Sequence, residues 1–82
     1  MEAEIILSYD NEREAEAIAK AISPDNVRVP PGLFIQTVRR DARVVTFIKC
    51  EKGLQTLIST IDDLLACVTT AEKALLVAKN VV

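Results

Sequence analysis

Apolar and polar positions along this chain fall into patterns that predict five elements. Ala3 to Tyr9 (AEIILSY) is short, mostly apolar and bounded by Asp10-Asn11, which predicts a strand. Asp10 or Asn11 can cap the helix that follows, and Asn11 with Glu14 has the spacing of a capping-box variant. Glu12, Glu14 and Glu16 crowd its first turns, where the helix dipole favours negative charge. Ala15, Ile18, Ala19 and Ile22 share one stripe at helical spacing. Pro24 ends this helix near Ser23, because the residue before a proline resists helical geometry. Ser23 to Gly32 (SPDNVRVPPG) holds all three prolines and reads as a loop.

Leu33–Arg40 and Arg43–Glu51 predict two strands joined through Asp41-Ala42, a weak hairpin signal because neither residue readily takes positive φ. A two- or four-residue connection places Phe34, Val38, Val45 and Phe47 on one sheet face. Leu33, Ile35, Val44 and Ile48 then lie on the other, with Thr37 and Thr46 between them. The first strand is likewise two-faced, with Ile5, Leu7 and Tyr9 against Ile6. Two helices cover one side of such a sheet, so the other is expected to meet another chain.

From Gly53 to about Lys79 no further glycine or proline interrupts the chain, and the stretch predicts one long helix. At about 1.5 Å per residue it spans roughly 40 Å, against about 26 Å for an eight-residue strand, so it overhangs the sheet. Leu54, Leu57, Ile58, Ile61, Leu65 and Val68 form the stripe expected to face the sheet. Leu64, Cys67, Ala71, Ala74, Leu75 and Ala78 form an adjacent arc, and Ala17 and Ala21 sit off the main stripe of the first helix. Small residues in such places let another helix approach closely. The fold class is α+β, in the order β-α-β-β-α: a three-stranded antiparallel sheet with two helices on one face, in a single domain over 1–82.

Composition narrows the function. Half of the 82 residues are apolar, and 10 Lys+Arg against 12 Asp+Glu give a net charge of −2, which argues against a protein whose own field holds nucleic acid. Histidine is absent, removing the commonest general base and metal ligand. Cys50 and Cys67 are too few for a cysteine-rich zinc site and read as small buried hydrophobes in a reduced, cytoplasmic chain. No apolar run reaches membrane-spanning length, and the start lacks the basic region of a signal peptide. Asp62-Asp63 point about 100° apart on a helix and form no carboxylate dyad. No catalytic, cofactor-binding or metal residues are assigned. Arg39, Arg40 and Arg43 surround the hairpin tip, with Arg28 nearby; they read first as a charged end that blunts a sheet edge, and second as a phosphate contact. The element order is similar to that of KH-type RNA-binding modules, but Gly32 and Gly53 cannot supply the GXXG clamp.

The segment Asn11–Asn26 (NEREAEAIAKAISPDN), together with Leu57–Leu65 (LISTIDDLL) and Ala71-Glu72-Lys73, resembles the small dimerisation subunit of the archaeal and eukaryotic KEOPS complex. The specific parts are Ala-Ile-Ser-Pro-Asp-Asn at 21–26 and Thr-Ile-Asp-Asp-Leu-Leu at 60–65, and the small size looks archaeal. The resemblance implies the same sheet and helices, a dimer, and a part in forming threonylcarbamoyladenosine on tRNA. It places the chemistry on a separate ATPase-fold catalytic subunit, whose helices bundle with those of the small subunit. Ala17, Ala21, Leu64, Cys67, Ala71, Ala74 and Ala78 are assigned to that subunit. Ile35, Thr37, Val44, Thr46 and Ile48 are assigned to a homodimer, or to a heterodimer with a paralogue. Arg39, Arg40 and Arg43 are assigned to a tRNA contact in the assembly. The alternative is a stand-alone RNA-binding module that uses the arginine hairpin.

Overall fold

Three strands and two helices follow one another as β1 (Glu2–Ser8), α1 (Glu12–Ile22), β2 (Leu33–Arg40), β3 (Arg43–Cys50) and α2 (Leu54–Asn80). This computed structural model describes residues 1–23 and 31–80, with side chains as far as Val77. Most of the expected proline loop, with Arg28, therefore lies outside the described residues, as does the side chain of Ala78. β3 is the central strand of an antiparallel sheet ordered β1-β3-β2. Met1 extends the β1–β3 ladder, its amino group donating to the Cys50 carbonyl and its carbonyl accepting from the Cys50 N–H, both at 2.7 Å.

Asn11 caps α1, as its spacing predicts, accepting from the Glu14 N–H at 2.9 Å. The β2–β3 hairpin closes through a two-residue turn, pairing Arg40 with Arg43 and Ile35 with Ile48. Asp41 takes the left-handed conformation (φ 54°) that the tight turn needs. Gly53 (φ 105°) supplies the same freedom ahead of α2.

Both helices lie on one face of the sheet. Ala3, Ile5, Leu33, Ile35, Ile48 and Cys50 meet Leu57, Ile61 and Leu64 of α2 at one end. At the other, Leu7, Tyr9 and Val44 meet Ala15, Ile18 and Ile22 of α1, with Val68, Ala71 and Leu75 of α2 behind them. This corrects the dimer assignment. Val44 and Ile48 are 0% exposed and Thr46 1%, while Ile35 and Thr37 share their face half-buried. The chain's own helices cover all five. Thr37 and Thr46 can sit inside because their hydroxyls hydrogen-bond each other at 3.0 Å, leaving little polar demand.

The face of α2 that turns inward also differs from expectation. Leu57, Ile61, Leu64, Val68, Ala71 and Leu75, spaced alternately by four and three, pack inward. Leu54, Ile58 and Leu65 are exposed. Ala15, fully buried against Val68, lets α1 come close to α2, and that contact fixes the rotation of the longer helix. With 27 residues α2 gives the protein its 44 Å long axis and projects beyond the hairpin end of the sheet.

Candidate functional site

Strand alternation leaves a second apolar face open. Ile6 and Phe34 are each 53% exposed, and Val38, Val45 and Phe47 are half-buried beside them. Antiparallel register sets these residues in rows: Glu2-Lys49-Phe34, Glu4-Phe47-Gln36, Ile6-Val45-Val38 and Ser8-Arg43-Arg40. Ile6, Val38, Val45 and Phe47, with Arg40 and Arg43 at the hairpin end, line a shallow trough of about 940 Å³. Five large apolar side chains on one open face exceed the scattered exposure normal for a surface.

A second surface lies along the helices. Ala17, Ala21, Cys67 and Ala74, assigned to a partner from the sequence, are exposed, whereas Leu64 and Ala71 are half-buried and pack into the chain's own core. Cys67 is therefore not the buried hydrophobe it was expected to be; Cys50 is, with its thiol donating to the Gly53 carbonyl at 3.7 Å. The other flank of α2 carries the larger exposed side chains Leu54, Ile58, Leu65 and Leu76. Sequence reasoning spent the first three of these on the sheet and so missed that flank. The alternating four-and-three spacing from Leu57 to Leu75 is the signal that separates them.

The hairpin arginines divide between the two faces. Arg39 reaches the helix side, donating to the Asp41 carbonyl at 3.0 Å and lying 3.9 Å from the Glu12 carboxylate. Arg40 and Arg43 stand opposite each other on the open face, exposed and without an ion pair among the described residues. Like charges paired across strands are destabilising, so this corner favours an approaching anion.

Convergent reactive groups are not found among the described residues: no cluster of three or more Cys, Asp or Glu is placed to hold a metal ion. No described helix is long and apolar enough to cross a membrane. Asp62 and Asp63 are exposed on α2. The perturbed group is Tyr9, whose hydroxyl is buried without a hydrogen bond of good geometry although the Glu72 carboxylate lies close. Burial first, then Glu72, pushes its pKa from 10.0 up to about 12. The raised pKa contributes stability that is complete below pH 10 and lost as pH rises toward 12. Replacing Tyr9 by Phe removes an unsatisfied hydroxyl, so the variant is expected to match the wild type or exceed it by up to about 1 kcal/mol in urea at pH 7. It should also lack the alkaline loss of stability. A destabilisation beyond about 1 kcal/mol would instead establish a Tyr9–Glu72 hydrogen bond.

No family model matches this chain, and no curated protein matches it. Among solved structures, the fold is similar to that of a chain in the crystal structure of the binary complex Gon7-Pcc1. The TM-score is 0.83 at 17% sequence identity, covering 95% of this chain and 95% of that one. At that identity the likeness is one of fold. The architecture implied by the resemblance in sequence is the one this chain adopts.

Proposed function

We propose that this protein is a non-catalytic assembly subunit of a KEOPS-type complex. In this reading it forms a dimer and binds the ATPase-fold catalytic subunit, and so supports threonylcarbamoyladenosine formation on tRNA in an archaeal cytoplasm. The observation that carries the reading is the fold likeness, over nearly the whole of both chains, to a component of a two-protein complex. It is supported by two apolar surfaces that the chain's own core leaves uncovered, the open sheet face and the flanks of α2. Obligate partners bury surfaces of this kind. The catalytic subunit's helices are assigned to the exposed alanines of α1 and α2, where the absence of long side chains permits close packing. tRNA is assigned, in the full assembly, to the exposed hairpin arginines Arg39, Arg40 and Arg43.

The test is the mass in solution of the chain alone and then mixed with the ATPase-fold subunit of a KEOPS complex. The expected results are a dimer and a stable mixed complex. Ala74→Glu, at an exposed position, should weaken capture of the catalytic subunit at least tenfold and leave the dimer intact. A monomer at every concentration that captures no KEOPS component would remove the reading. The stand-alone RNA module instead predicts tight, salt-sensitive binding of bare tRNA that Arg39→Ala and Arg40→Ala weaken, against a net charge of −2.

A further inference from the structure

A buried hydroxyl lacks a partner where the sheet ends and α2 continues. Tyr9 follows β1 at the hairpin end of the sheet, and its N–H donates to the Ala42 carbonyl at 2.8 Å. Its side chain packs on the helix side against the cluster that holds Ala15, Ile18 and Val68, as do Ala71 and Leu75 of α2. Beyond Leu75 the described part of α2 is unsupported: Leu76 is 59% exposed and Val77 61%. The Tyr9 hydroxyl has no hydrogen bond among the described residues, although the Glu72 carboxylate lies beside it.

A hydroxyl withdrawn from water without a partner destabilises the fold, and nearly all buried polar groups are paired. An orphan beside a good acceptor therefore points to a second arrangement in which the two meet. Tyr9 is not the group that moves, because its backbone is tied to Ala42 and its side chain to the core. Glu72 is the mobile side. It is exposed, so water competes for its carboxylate, and it sits on the turn from which the unsupported end of α2 departs. Ala74, exposed and assigned to the catalytic subunit, belongs to the same turn. A partner helix seated at Ala74 bears on that turn directly. A bond to a charged acceptor, made in one arrangement and absent from the other, biases the direction of the helix end.

We infer that Tyr9 and Glu72 form a latch, open in the free chain, that closes when the catalytic subunit docks on the end of α2. The closed latch fixes the direction of that end. The inference rests on the proposed function for its partner and goes beyond it by naming a positioning residue. With its hydroxyl buried, Tyr9 acts through α2 rather than by touching the partner through that group.

The experiment compares Tyr9→Phe, Glu72→Ala and the double variant, each read twice: for stability in urea, and for affinity toward the ATPase-fold subunit by calorimetry. Tyr9→Phe should keep the stability of the free chain, as argued above, yet weaken capture about tenfold. A purely structural role would not separate the two readings. Glu72→Ala should weaken capture to a similar extent, and the double variant should be no weaker than the single ones within about twofold. The chain holds one tyrosine, so carbon-13 at its Cζ reports Tyr9 alone. That signal should shift when the unlabelled catalytic subunit is added to the wild type and stay in place in Glu72→Ala. If Tyr9→Phe captures the subunit like the wild type, the latch is wrong and the KEOPS reading stands. Additive losses in the double variant would show two independent contacts and no latch. A free chain destabilised by Tyr9→Phe would mean that the bond is already made without a partner, which also overturns the inference. If the wild type captures nothing, the proposed function fails and the latch falls with it.

Discussion

Ile48→Ala is expected to cost about 2–5 kcal/mol in urea denaturation, a large share of the roughly 5–15 kcal/mol that stabilises a domain of this kind. Ile48 sits at the middle of the central strand, 0% exposed, flanked in register by Ala3 and Ile35 and covered by Leu57. Truncating it leaves a cavity with three elements around it, none able to close in without moving the sheet. The loss should appear as a lower midpoint with an unchanged denaturant slope, since the surface exposed on unfolding is the same. The proposed dimer would add a concentration-dependent part to the apparent stability, so wild type and variant are compared at matched concentrations, where the difference should stay constant. The folded fraction should still self-associate like the wild type, because Ile48 faces the helices. A variant that kept its stability but failed to dimerise would return this face to the partner surface assigned from the sequence.

That assignment went wrong for a definite reason. Both faces of the sheet are apolar, so alternation fixes which residues share a face and leaves open which face is covered. Thr37 and Thr46 put two hydroxyls on the covered face, and their mutual hydrogen bond satisfies them and lets the face be buried. The strands, the turn position and the Asn11 cap were legible because each is local: period-two alternation, a short Asp41-Ala42 break between two strands, a side-chain acceptor three residues before a first-turn N–H. The register followed from the turn once Asp41 took positive φ. The rotation of α2 was not local. Leu54, Leu57, Ile58, Ile61, Leu64, Leu65 and Val68 cover too wide an arc for periodicity to select a stripe. The choice is made by α1, whose Ala15 admits Val68. The partner surfaces depend on that rotation, so Leu54, Ile58 and Leu65 became legible as surface only with α1 in place. The division of the hairpin arginines follows from alternation: Arg39 pairs with Val44 on the helix side, where the Glu12 carboxylate lies 3.9 Å away, and Arg40 and Arg43 pair on the open face.

The same seam gives the second large effect. Val68 is 4% exposed and packs with Ala15, Ile18 and Ile22, with half-buried Leu64, Ala71 and Leu75 against the same cluster. Val68→Asp puts a carboxylate there with no cationic partner in the cluster, and should cost about 3 kcal/mol or more at pH 7. Burial raises the pKa of such an aspartate, so its folded-state value lies above its unfolded-state value. The penalty is therefore smallest below the unfolded pKa and grows as pH rises through the folded one. Val68→Asn carries a comparable polar group that does not titrate, and its penalty should be the same at pH 4 and pH 7. The stability gap between the two variants, read in urea at both pH values, should therefore narrow at the lower pH. Because the α1–α2 contact also sets the spacing of Ala17, Ala21 and Ala74, Val68→Asp should lose capture of the catalytic subunit at pH 7. Neither substituted side chain is exposed to that subunit, so a variant that stayed folded and captured it normally would show that the helix seam does not organise the docking surface.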